Sequence, residues 1–181
     1  TNFKISSSLI PFKATVLIFI FKPTSFAVII PLITLSKSPF RVMVLNFFLL
    51  SAGVRRINIS LDSLNKKKFK NITRNGDFDK VMKGIMLAKK SGLKIKINTV
   101  ALKGINDDEI LNLVNWCGEN KFSLTFIEVM PMGEIGEKRI DQYMPLTEVK
   151  SLIQKKYSIT NDPLRTAGPA RYVHCHETDQ K

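Results

Sequence analysis

From residue 55 onward, hydrophobic and polar positions alternate with two periods in turn. Arg55 to Asp62 repeats every second residue, with Ile57, Ile59 and Leu61 on one face and Asn58, Ser60 and Asp62 on the other, the period of a strand. Asp77 then caps a segment in which Phe78, Val81, Ile85 and Ala88 recur at helical spacing, and Gly92 stops it. Lys94 to Ala101 returns to the strand period, setting Ile95, Ile97, Thr99 and Ala101 against Lys94, Lys96, Asn98 and Val100. Asn106 starts a second helix with Asp107, Asp108 and Glu109 in its first turn, which suits the macrodipole, and with Ile110, Leu113, Val114 and Cys117 as its buried stripe. Ser123 to Met130 reads as a third strand, and Pro145 and Thr147 open a third helix with Val149, Leu152 and Ile153 facing inward. Strand and helix repeated three times predict right-handed βαβ units and a parallel sheet, an α/β fold with helices outside.

The first 50 residues lack this rhythm. Apolar runs at Ala14 to Phe21, Phe26 to Leu35 and Met43 to Leu50 are broken by Pro and Lys. A membrane span is disfavoured, because Lys22-Pro23 and Pro31 interrupt the 22 residues from Ala14 to Leu35 and a spanning helix needs about 20 mostly apolar residues in a row. A signal peptide fits poorly, since the apolar stretches are dispersed. A set of buried strands and a stretch not native to the remainder of the chain both stay open, and the lack of any Asp or Glu favours the second. The expected organisation is therefore an atypical apolar segment over residues 1–50 and a βα domain over 51–181.

Composition narrows the function classes. The 181 residues, 44% of them apolar and 24% charged, suffice for one core of ordinary size. Of the 28 basic residues, seven lie in residues 1–61, where there is no acid, so 21 face all 15 acids from Asp62 onward. Much of the net charge of +13 thus comes from the atypical stretch and does not mark a nucleic-acid-binding face. Two cysteines, Cys117 and Cys175, exclude a disulfide framework. His174-Cys175-His176 suggests a metal, but nothing completes a four-ligand set, so no metal residue is assigned.

The strands carry one anomaly. Parallel strands covered on both faces read as continuous apolar runs, yet the face opposite the isoleucines holds Asn58, Ser60, Asp62, Lys96 and Asn98. Either that face is solvated, or it lines a crevice in which Lys96 meets an anionic ligand, with Asp62 as the rival counter-charge. Gly104 to Asp108 and Pro131 to Glu134 follow strand ends, where parallel α/β folds gather ligands, although capping and turn formation explain them equally well.

The runs Arg-Arg-Ile-Asn-Ile-Ser-Leu-Asp-Ser-Leu at 55–64, Ile-Thr-Arg-Asn-Gly at 72–76, Gly-Leu-Lys-Ile-Lys-Ile-Asn at 92–98, Lys-Gly-Ile-Asn-Asp-Asp at 103–108, Phe-Ile-Glu-Val-Met-Pro-Met-Gly at 126–133 and Gly-Pro-Ala-Arg-Tyr at 168–172 resemble the central part of the GTP 3′,8-cyclase (MoaA) family. These are radical S-adenosylmethionine enzymes that open molybdenum cofactor biosynthesis. The likeness covers roughly residues 51–178. It implies a partial (β/α) barrel, S-adenosylmethionine and two [4Fe-4S] clusters as cofactors, GTP as substrate, a cytoplasmic location and homodimers. In the family reaction a 5′-deoxyadenosyl radical takes hydrogen from ribose C3′ of GTP, and the C3′ radical attacks guanine C8 to give 3′,8-cyclo-7,8-dihydro-GTP. The resemblance assigns Ser60 and Met130 to S-adenosylmethionine and Lys96 to GTP, and it sets Thr125 where some members carry Arg.

The sequence departs from that pattern at the clusters. The family's three-cysteine loop has no counterpart upstream of Ser60, and Cys117 and Cys175 match neither cluster motif. Thiolates hold such clusters, so there are two expectations: a catalytically inactive fragment of the cyclase, or a non-enzymatic domain of the same barrel that binds a nucleotide or a partner protein.

Overall fold

The computed structural model describes residues 17–21, 27–31, 50–74, 76–129, 141–163 and 170–178. Two strands from residues 1–50, β1 (Leu17–Phe21) and β2 (Ala27–Pro31), pair antiparallel, and β1 runs antiparallel beside β3 (Arg56–Ser60). The helices α1 (Lys66–Thr73) and α2 (Phe78–Lys90) lead to β4 (Lys94–Val100), α3 (Ile110–Asn120) leads to β5 (Ser123–Ile127), and α4 (Leu146–Gln154) comes next. The sheet order is β2-β1-β3-β4-β5, with β3, β4 and β5 parallel, as the repeated strand and helix periods predict. A separate hairpin joins β6 (Ile159–Asp162) to β7 (Tyr172–Cys175). The rest of residues 1–49 lies outside the described residues.

Alternation decides which face is covered. Ile57, Ile59, Ile95 and Ile97 are buried, while Asn58, Ser60, Lys96 and Asn98 between them are half-buried. The isoleucines pack with Phe69, Val81, Ile85, Ala88 and Cys117 from α1, α2 and α3, and a second apolar group joins Ile110 and Val114 of α3 to Val149 and Ile153 of α4. At about 1.5–3 kcal/mol per fully buried aliphatic side chain, this one-sided burial holds the helices to the sheet. Local chemistry sets the helix ends. Asn65 accepts the Lys67 and Lys68 N–H groups, and Asp77 accepts that of Lys80, at the starts of α1 and α2. Gly92 takes φ +81° just past the end of α2, a conformation that favours glycine.

Asn106 departs from expectation. A 3₁₀ turn, Asp107–Glu109, precedes α3, and the Asn106 side chain makes no cap. Instead its Nδ2 donates to the carbonyls of Asp62 (2.6 Å) and Val100 (2.9 Å), and its Oδ1 accepts the Leu102 N–H (2.8 Å). The residue is 1% exposed. Where two loops leave the sheet side by side, their buried backbone groups need partners more than an exposed helix start does. Glu109, read as a macrodipole residue, is also buried and accepts a 2.6 Å hydrogen bond from Ser63 Oγ, with Lys68 Nζ 3.9 Å away. These contacts lock the loop after β3 to the loop after β4.

Candidate functional site

Register places the polar side chains of the face that the described helices leave uncovered in rows across the strands. Asn58 pairs with Lys96 and Lys96 with Ser123; Ser60 pairs with Asn98 and Asn98 with Thr125. Neighbours in a row stand about 4.8 Å apart, the spacing of paired strands. Ser60 is the last residue of β3, and Lys96 sits mid-strand in β4. Asn58 Oδ1, on the residue paired with Lys96, is buried and has no hydrogen-bond partner among the described residues.

Lys96 borders a cavity of about 730 Å³ that wraps the outer edge of β5 and is closed by α4 and the β6–β7 hairpin. Arg56, Lys150 and Arg171 supply three further cations to its wall, and Asp162 supplies one carboxylate. Thr125 and Ser123 line it from the sheet, and Leu124, Phe126, Val149 and Ile153 form an apolar floor. The Lys96 ammonium lies 6.0 Å from the centre of the Tyr172 ring. Among the described residues it forms no ion pair. The surplus of positive charge suits an anionic ligand, and the mixed wall suits one that also has an apolar or aromatic part.

Asp62, the rival partner for Lys96, is engaged elsewhere. Its Oδ1 accepts the Val100 N–H at 2.8 Å, four residues along from the Asn58 level, or about 13 Å at the rise of a strand. Burial pushes its carboxyl above the ordinary aspartate value, and the Val100 N–H offsets part of that rise. Among the described residues, no ion pair joins Lys96 to Asp62.

The structure brings Ser60 and Lys96 to one face, and Met130 lies outside the described residues, as do Pro131 to Glu134. Sequence reasoning missed Arg171 and Tyr172 as site residues. They belong to the Gly-Pro-Ala-Arg-Tyr run, but only the pairing of Asp162 with Tyr172 in the hairpin carries them to the cavity. Tyr172 stands nearly 80 residues from Lys96 in sequence, and no local period signals that meeting.

The two cysteines do not fit an iron–sulfur cluster. Cys117 is fully buried on α3 within the apolar group under β3 and β4, and burial pushes its thiol up to about 12, against thiolate formation. Cys175 is buried in the other group, with its Sγ 3.9 Å from Glu177. His176 Nε2 lies 3.1 Å from Thr160 Oγ1, and among the described residues no group of three His, Cys, Asp or Glu side chains could hold a metal. Among the described residues, no helix is long and apolar enough to cross a membrane.

Comparison with known proteins places this geometry in a family context. Residues 46–117 match the model of the Radical SAM superfamily. The chain is 51% identical over 134 residues to the GTP 3′,8-cyclase of Paracoccus denitrificans (strain Pd 1222), a match covering 74% of this chain and 39% of that protein. It is 53% identical over 130 residues to the GTP 3′,8-cyclase of Rhizobium etli (strain CIAT 652), covering 72% and 37%, and 52% identical over 130 residues to that of Rhodopseudomonas palustris (strain TIE-1), covering 72% and 38%. The chain spans about two fifths of the length of these curated relatives.

Proposed function

Because this chain belongs to the GTP 3′,8-cyclase family of the radical S-adenosylmethionine superfamily, we propose that its parallel sheet holds the nucleotide in the GTP cyclisation that opens molybdenum cofactor biosynthesis. In this reading Lys96 contacts GTP, and Ser60 and Met130 contact S-adenosylmethionine. One observation carries it: Lys96 forms no ion pair among the described residues, borders a cavity with three other cations, and neighbours the buried, unpartnered Asn58 Oδ1. A half-buried ammonium without an ion pair is costly, and a phosphate offsets that cost. S-adenosylmethionine, when bound, supplies the radical precursor; Ser60, at the end of β3, offers it a hydroxyl.

The cysteines support binding without turnover. Cys117 and Cys175 are buried in different apolar groups, so this chain's own thiols do not form a cluster site. Titration of the wild-type chain and of Lys96→Ala with GTP at low and moderate salt tests the proposal. Lys96→Ala is expected to weaken binding about tenfold, in line with loss of a charge-assisted contact of roughly 1.5 kcal/mol, and added salt to weaken it further. Equal affinities in the two proteins would overturn the role of Lys96.

A further inference from the structure

Tyr172 has no assigned role, yet its ring stands where it could orient the Lys96 ammonium, 6.0 Å from the ring centre. An aromatic face attracts a cation through its quadrupole without cancelling the charge. A carboxylate in that place would hold the lysine equally well but neutralise it; Asp62, just past the end of β3, is bound to the Val100 N–H instead, and Asp162 in the cavity wall forms no ion pair with Lys96 among the described residues. Lysine has a long, flexible stem, so fixing its head lowers the entropy that a ligand must remove. Tyr172 reaches this place because β7 pairs with β6 in register, and the hairpin closes the cavity against the edge of β5.

We propose that Tyr172 is a positioning residue for the anion site: its ring holds the Lys96 ammonium, still charged, toward the cavity where the phosphates bind. This rests on the nucleotide reading of Lys96 and extends it to the hairpin. The aromatic ring matters and the hydroxyl does not, so Tyr172→Phe behaves as wild type while Tyr172→Leu does not. Since the ring acts through Lys96 and on the phosphates, it affects GTP and inorganic triphosphate alike.

The experiment titrates GTP and inorganic triphosphate into the wild-type chain, Tyr172→Phe, Tyr172→Leu, Lys96→Ala and the Lys96→Ala/Tyr172→Leu double variant. Expected is a loss of about three- to tenfold in Tyr172→Leu, the range of a partly exposed cation–π contact, equal for both ligands, with near wild-type affinity in Tyr172→Phe and no further loss when Tyr172→Leu is added to Lys96→Ala. A loss confined to GTP would mean that the ring meets the base, and additive losses would mean that it acts apart from Lys96; either result overturns the proposal. NMR of the Lys96 ε-methylene gives a ligand-free check, since its ring-current shift should persist in Tyr172→Phe and vanish in Tyr172→Leu, and an unchanged shift in Tyr172→Leu also overturns it. If Lys96→Ala binds as well as wild type, or wild type binds neither ligand, the nucleotide reading falls and this inference falls with it. If Lys96→Ala loses affinity and Tyr172→Leu does not, only the role of Tyr172 is refuted.

Discussion

At the scale of single residues, Asp62 shows how burial and hydrogen bonding compete. Its folded-state pKa lies above the usual 3.8, because burial outweighs the Val100 N–H that it accepts. The folded chain therefore binds this proton more tightly than the unfolded chain does. Above both values the carboxylate subtracts from stability; the penalty sets in as pH rises through 3.8 toward the folded value, and it vanishes below that window. Asp62→Asn retains an oxygen for the Val100 N–H and removes the charge. The variant is expected to be more stable than wild type at pH 7, with the gap closing as pH falls below 4, read from urea midpoints at several pH values. A variant less stable at pH 7 would mean that the charge itself is used. Lys96 and Asp62 share a face, which makes Asp62 a candidate counter-charge, but the rise of the strand separates them.

Among the elements, the joints between strands and helices hold the site more than the helices do. Asn106→Ala strands the carbonyls of Asp62 and Val100 and the Leu102 N–H. Leaving such groups buried and unpaired is expected to cost about 2–4 kcal/mol in total, with faster hydrogen exchange at the Leu102 amide in particular. A loss under about 1 kcal/mol would show that water replaces the side chain there. Gly92→Ala tests the end of α2, where φ is +81° and open space surrounds the position. With no clash to relieve, the expected cost is the conformational one of about 1–2 kcal/mol, measured by thermal or urea unfolding.

For the molecule as a whole, the two apolar groups on the helix side separate Cys117 from Cys175. Reconstitution with iron and sulfide should yield no stoichiometric [4Fe-4S] absorption, and native chain should react with a thiol reagent far more slowly at both cysteines than urea-unfolded chain. Cys117, with its thiol pushed up to about 12, should be the slower of the two. One cluster per chain in the monomer, or rapid native labelling, would contradict this. The same asymmetry leaves one sheet face uncovered by the described helices, and the binding chemistry collects there.

The sequence by itself determined the parallel βα core and the placement of Lys96. A strand exposes alternate residues to opposite faces, so once Ile95 and Ile97 pack under helices, Lys96 and Asn98 must lie opposite. The helix start at Asp77 and the stop at Gly92 also come from short-range chemistry, because a cap is decided within one turn. Only the tertiary structure decided what Lys96 meets. Strands β6 and β7 are four residues each, with too little apolar alternation to announce themselves, and their pairing and docking set Tyr172 and Arg171 beside a lysine nearly 80 positions earlier. The same holds for Asn106, whose side chain has a choice between capping a helix and bonding two loops. Sequence allows both options; the crossing of those loops in space selects the second, since buried backbone groups without partners cost more than an uncapped, solvated helix end.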